Sequence, residues 1–362
     1  MLKRVHRWLG VALTAWLVVA TLTGVLLLWE DEYFGWRYPT LPKQPYEATA
    51  NAVVIDQIVS SSGRRVASLL LPRDSLPAYH VYFADGSEAL FHPDTAVRIA
   101  EWSALDALPA FLFELHAHLL LGRPGLNVVG VFGIALFLNL AIGLVLWSRR
   151  RKVFLVRYFL PKDMSRALLA RAHAAQGLSL AVLFLLLIFT GVAMTFSAPV
   201  YASLNAIFGS TDLLRPTVRQ LDHESAVVNW RGALSSMSAE FPDGTPHLLI
   251  LPKSDNEPLI VRLRNAGELH PNGRSYLVLN PGTGAVVERI DATKTGVGPT
   301  ISNALYPIHA GKTGWPGYRL ALSLLSFSLL FIAISGSYLA LSRPRIQKNR
   351  DANFGWPGRK HD

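Results

Sequence analysis

Four histidines stand at the heads of four apolar segments: His6 (HRWLG), His116 (LHAHLLLG), His173 (HAAQG) and His309 (IHAGKTG). Imidazole at the end of a membrane helix can cap carbonyls, sit among headgroups, join a proton path or ligate a metal. The spacing narrows the choice. His6 precedes Gly24 of Leu22-Thr23-Gly24 by 18 residues, and His173 precedes Gly191 of Phe189-Thr190-Gly191 by 18. His116 precedes Gly143 by 27 residues, and His309 precedes Gly336 by 27. Two gap-free matches describe a duplicated unit and pair His6 with His173 and His116 with His309. Repeats of like orientation are related by an axis along the membrane normal, so equivalent residues confront each other at one depth. Two opposed imidazoles are the ligand set of a bis-histidine haem iron, and two pairs predict two haem groups. The chain has no cysteine, which excludes disulfides, thiolate metal sites and covalent c-type attachment, but not non-covalent haem b.

Other residues fit a flat ligand. Gly10 and Gly177 follow His6 and His173 by four positions, on the same helix face, where a missing side chain leaves room for a planar ring; close helix packing explains such glycines equally well. The same holds for Gly130 and Gly133, whose counterparts are Ser323 and Ser326. Arg123 and Arg319, with Arg7 and Lys312, are candidates to neutralise haem propionates. His118 is the alternative to His116, but it points about 200° around a helix from it and corresponds to Gly311 in the second half. Glu114 could tune His116. Trp16, Phe132 and Phe137 are possible stepping points between the two levels. Tyr306 and Trp315 bracket His309, while Trp36, Trp102 and Trp147 read as interfacial aromatics. The remaining histidines, including His80, His92, His223, His247 and His270, read mostly as surface residues. No catalytic triad, Walker loop, HExxH zinc site or carboxylate pair stands out.

The elements that must hold these residues are membrane spans. Residues 8–29, 126–147, 178–201 and 320–341 carry no charge. Each runs to about 22 residues, enough to cross a hydrocarbon core of about 30 Å. The first is too long for a signal peptide and lacks a clear cleavage site. Lys and Arg crowd residues 3–7, 149–171 and 343–360, which predicts cytoplasmic termini and an inner-membrane orientation with two outer loops. The net charge of +10 follows from this bias and is no nucleic-acid footprint. The expected plan is span 1–29, outer domain 30–112, span 113–148, basic loop 149–172, span 173–201, outer domain 202–306, span 307–342 and tail 343–362. Each outer loop reads as a small α+β module. Helical spacing covers 52–62 and 230–241. Strand-like runs cover 66–71, 79–83, 89–91 and 96–99, then 248–251, 259–263, 276–279 and 286–290.

In this order the motifs resemble the PepSY-associated transmembrane family. They are His6-Arg7-Trp8-Leu9-Gly10, Leu115-His116 with Leu121-Gly122 and Gly125, Ile308-His309 with Gly311 and Gly314, and the endings Thr23-Gly24, Ile142-Gly143 and Ser335-Gly336. The resemblance spans about 1–345. It implies a polytopic α-helical protein of the bacterial inner membrane, with four transmembrane helices in a duplicated two-helix unit and two periplasmic PepSY-like domains. Some members are ferric-siderophore reductases carrying haem b, which implies a ferric chelate as substrate and an unidentified electron donor, because the flavin reductase domain fused to some relatives is absent here. The third-helix motif is looser than the first. Two other readings stay open: a non-catalytic membrane-anchored binding or inhibitory module, and a metal or proton transporter using the histidines. The latter favours polar residues at mid-membrane, where the segments offer Asn139 with scattered Thr and Ser.

Overall fold

A computed structural model describes residues 1–42, 51–103, 105–148, 156–217, 220–221 and 227–342. His223, residues 149–155 of the basic loop and the basic tail lie outside them. The elements run α1 (Leu2–Leu27), α2 (Glu30–Arg37), α3 (Ala52–Ser61), β1 (Val66–Leu70), β2 (Tyr79–Phe83), β3 (Glu88–Phe91), β4 (Arg98–Trp102), α4 (Leu108–His118) and α5 (Gly122–Ser148). The second half repeats the order with α6 (Arg166–Ser179), α7 (Ala181–Thr195), α8 (Ser197–Phe208), α9 (Trp230–Glu240), β5 (Thr245–Ile250), β6 (Leu259–Arg264), β7 (Ser275–Leu279), β8 (Val286–Ile290), α10 (Val297–His309) and α11 (Pro316–Leu341).

Helices α1, α5 and α11 are long and apolar enough to cross a membrane. The third span is not the continuous helix expected over 173–201. It is a pair, α6 and α7, bent by 67°. The break falls at Leu180, whose backbone (φ −101°, ψ 6°) leaves the helical region between α6 and α7. Leu13, Leu17, Leu136, Phe184, Leu325 and Leu329 fill the centre of the four-span bundle.

Spans two and four also begin later than expected. His116 lies in the last turn of the separate helix α4, and His309 closes α10. Leu119 caps α4 in the left-handed conformation, and Leu120 follows with φ 59°, so the chain turns back into α5 through strained backbone. Gly125 makes this turn possible: a Cβ there would lie 1.6 Å from the His118 carbonyl oxygen.

The outer loops do not form two modules. They share one eight-stranded antiparallel sheet, ordered β4-β3-β2-β1-β5-β6-β7-β8. The seam pairs Leu69 with Leu249, flanked by Ser68 with Ile250 and Leu70 with Leu248. Reciprocal bonds, Leu71 N–H to His247 O (2.9 Å) and Leu251 N–H to Ala67 O (3.0 Å), place a pseudo-two-fold axis through the seam. Alternation sends Leu69, Tyr79, Val81, Leu249, Val261 and Leu277 to one face, where α3 and α9 cover them. On the other face α2 packs Phe34 against Trp102 at 5.7 Å, and α10 stacks Tyr306 on His270 at 5.0 Å. That face therefore looks toward the bundle. Trp102 is a buried core residue, not an interfacial aromatic.

Because the halves share a seam, they should unfold together. Leu69→Ala removes a fully buried side chain and should cost about 2–5 kcal/mol. Amide exchange should then quicken in β3 and β7 alike; a change confined to β1–β4 would contradict a single cooperative sheet.

Candidate functional site

The bundle brings the four histidines together in two couples. The ring centroids of His6 and His173 are 6.3 Å apart, and those of His116 and His309 are also 6.3 Å apart. An imidazole–metal bond of about 2.0–2.1 Å, plus roughly 1.1 Å from Nε2 to the ring centre, puts two ligands of one metal about 6.3 Å apart between centroids. Both couples meet that figure.

A repeated hydrogen bond fixes each ring. His6 Nδ1 lies 3.0 Å from the Asn139 carbonyl oxygen, and His173 Nδ1 lies 3.0 Å from that of Ile332. His116 Nδ1 lies 3.0 Å from the Ala20 oxygen, and His309 Nδ1 lies 3.2 Å from that of Leu187. A carbonyl only accepts, so each Nδ1 carries the proton and each Nε2 keeps its lone pair. Thr23 and Thr190 reinforce this. Each spends its hydroxyl proton on its own helix, at Val19 and Leu187, and its oxygen accepts from Nδ1 of His116 or His309 at 3.1 Å. Among the described residues no Nε2 of the four has a hydrogen-bond partner.

These carbonyls already accept a helical N–H, so the histidine must reach the second lone pair. The residue four positions later is in each case glycine: Gly24 after Ala20, Gly143 after Asn139, Gly191 after Leu187 and Gly336 after Ile332. A Cβ there would lie 3.0 Å from Cε1 of His116, 3.1 Å from that of His6, 3.0 Å from that of His309 and 2.8 Å from that of His173. These glycines are site residues whose role sequence reasoning missed. It used their spacing to find the repeat, but placed each with the histidine of its own segment. Each instead cushions the histidine delivered by the other span of its half.

The other candidates fall out as follows. Gly177 has open space where a side chain would stand, whereas Gly10 faces Asn139 Nδ2. Gly130 and Gly133 are filled by Phe196, Thr195 and Val192 of the third span, so they serve helix packing. His118 turns away to Glu114, Nδ1 to carboxylate 2.9 Å, and is not brought to His309. Arg319 pairs with Glu32 at 2.5 Å and lies over Trp29; Arg123 is exposed at the head of α5, and Arg7 lies over Trp8. Phe137 is on the exposed surface of the bundle, while Trp16 packs edge-on against Phe132 at 5.5 Å. Trp315 is exposed.

A model of the PepSY-associated TM region matches residues 3–343. The chain belongs to this family. A comparison with curated proteins gives no match. In this PepSY-associated membrane protein the sheet adds buried titratable groups on the face that α2 and α10 cover. His80 and His270 are buried rather than exposed, because α2 and α10 cover their face. His80 Nε2 bonds Glu88 at 2.7 Å. Burial, then the charges of Arg274 and Arg262, pushes His270 down to about 2. Burial, then Arg264 and Arg73, pushes His247 down to about 4. Burial works to raise Asp31, but Arg73 and Lys312 beside it outweigh that and hold its carboxyl below the usual range.

His247 and His270 thus stay neutral in the folded protein while the unfolded chain protonates them near pH 6.5. The unfolded state binds more protons below that point, so stability should fall as pH drops from about 6.5 toward 4. Asp31 adds its own loss only below about 4. Thermal unfolding between pH 7.5 and 4.5 should show this slope, and His247→Gln should flatten it; an unchanged slope would contradict the neutral assignment.

Proposed function

We propose that this protein carries two haem b groups, one held by His6 and His173 and one by His116 and His309, and passes single electrons across the membrane to a ferric chelate. The supporting observation is the pair of imidazole couples, each at 6.3 Å, with Nδ1 protonated and Nε2 free. Haem b at each couple supplies a one-electron Fe(III)/Fe(II) change, and two histidine ligands leave no iron position for substrate, so exchange with the chelate is outer-sphere.

The chain's own groups set the conditions. The Nδ1–H bonds orient the rings and raise their basicity. The centre between the two levels is packed with apolar side chains. Along α1 those levels are His6 and the carbonyl of Ala20, fourteen residues or about 21 Å apart. Trp16 and Phe132 lie in contact between them. The Lys and Arg bias of the sequence puts the His6/His173 level near the cytoplasmic side of a bacterial inner membrane, where a reduced carrier gives up the electron, and the sheet in the periplasm. The electron converts the chelate's ferric iron to ferrous, a less charged ion that hard oxygen ligands hold less tightly. This makes the protein a ferric-siderophore reductase in reaction class.

The purified protein should give a b-type reduced-minus-oxidised spectrum with about two haems per chain. His173→Ala should remove one and leave the other. Gly336→Ala should do the same to a lesser degree, because a methyl group there displaces the His173 ring. A haem-free protein, or variants with full haem content, would contradict the proposal.

A further inference from the structure

The bundle-facing side of the second half of the sheet gathers positive charge without matching negative charge. Arg262 and Arg264 stand on β6, and Arg274 precedes β7. Arg262 donates to the Gly273 carbonyl and lies against His270, Arg264 donates to the Glu268 carbonyl, and Arg274 reaches the Tyr276 hydroxyl. Among the described residues none of the three has a carboxylate at ion-pair distance. The carboxylate of Glu268, the nearest candidate, is taken by the backbone N–H groups of Asn265 and Arg274 and by the Ser275 hydroxyl. Arg274 Nε is sealed from solvent with no acceptor among the described residues, and a buried N–H left so calls for one.

Arg264 is exposed, Arg262 and Arg274 are half-buried, and His270 is buried against Tyr306 beneath them. Tyr306 lies one helical turn before His309 on α10, and Lys312 follows three residues after it, paired loosely with Glu30 at 3.9 Å. Like-charge crowding is visible in the neighbours: burial, then Arg274, pulls Arg262 down to about 10.

We propose that this basic face binds an anionic, carboxylate-bearing metal chelate through Arg262, Arg264 and Arg274, beside the His270–Tyr306 stack that leads along α10 to His309. The inference rests on the reductase reading for its setting and narrows it: guanidinium forks match carboxylates, so the preferred substrate is negatively charged, not a neutral or cationic complex. Porphyrin propionates carry the same carboxylate chemistry and are the competing source.

The test uses the full chain in lipid nanodiscs and gallium(III) citrate, an anionic complex that gallium's redox inertness makes independent of electron transfer. Calorimetric titration should show binding that weakens with salt. Binding should be at least tenfold weaker in Arg274→Gln and in Arg264→Gln, with haem content and melting temperature unchanged. A neutral gallium trihydroxamate should bind at least tenfold more weakly than the citrate complex. Arg262→Gln should weaken binding further; if its burial prevents folding, the other two variants carry the test. Equal affinity for the neutral complex, unchanged citrate affinity in Arg274→Gln and Arg264→Gln, or loss of haem instead of citrate affinity would overturn the proposal. Citrate binding in a protein that reduces nothing would leave this inference standing and remove the reductase reading.

Discussion

A second hydrogen bond to a helical carbonyl, uncovered by glycine, is the interaction on which the rest of the site depends. An imidazole in a bundle of apolar helices is free to rotate and to choose its tautomer. Binding Nδ1–H to a carbonyl oxygen settles both, and it can do so only where the residue four positions along presents no side chain. The pattern occurs at Ala20/Gly24, Asn139/Gly143, Leu187/Gly191 and Ile332/Gly336. Each half of the protein therefore locks two rings by itself. Bringing the halves together sets the two rings of each couple 6.3 Å apart between centroids.

The same pseudo-two-fold axis organises the other end of the molecule. At the seam of β1 and β5 it joins two four-stranded halves into one sheet, and in the bundle it opposes His116 to His309 and His6 to His173. The sheet is thus a clamp on the bundle. Helix α2 follows α1 after two residues, and α10 carries both His309 and Tyr306, so the position of His309 is tied to the underside of the sheet through Tyr306 and His270. Symmetry is broken where charge accumulates. The first half puts Glu88 against His80, whereas the second puts Arg262 against His270.

Much of this was legible in the residues. The helical and strand periodicities located β2 and β8 to the residue and the remaining strands to within a few positions, and the equal spacings of histidine and glycine paired the right imidazoles. The parts that escaped depend on contacts distant in sequence. Nothing local in β1 or β5 says that they pair with each other instead of closing separate sheets. The burial of Trp102, His80 and His270 comes from α2 and α10 folding under the sheet, so a strand histidine that looks solvated in isolation is enclosed. The break in the third span rests on the non-helical backbone of Leu180, and the separation of α4 from α5 on two left-handed leucines, signals too small to read without the backbone. Hydropathy alone ran straight through both.

The most direct test of shared iron is electron paramagnetic resonance of the oxidised, purified protein, read together with iron content. Two low-spin ferric signals of the bis-imidazole type, integrating to about two spins per chain and halved in His309→Ala, are expected from couples that each clasp one haem. High-spin signals, or low-spin intensity untouched by that substitution, would show that the facing imidazoles do not share a metal.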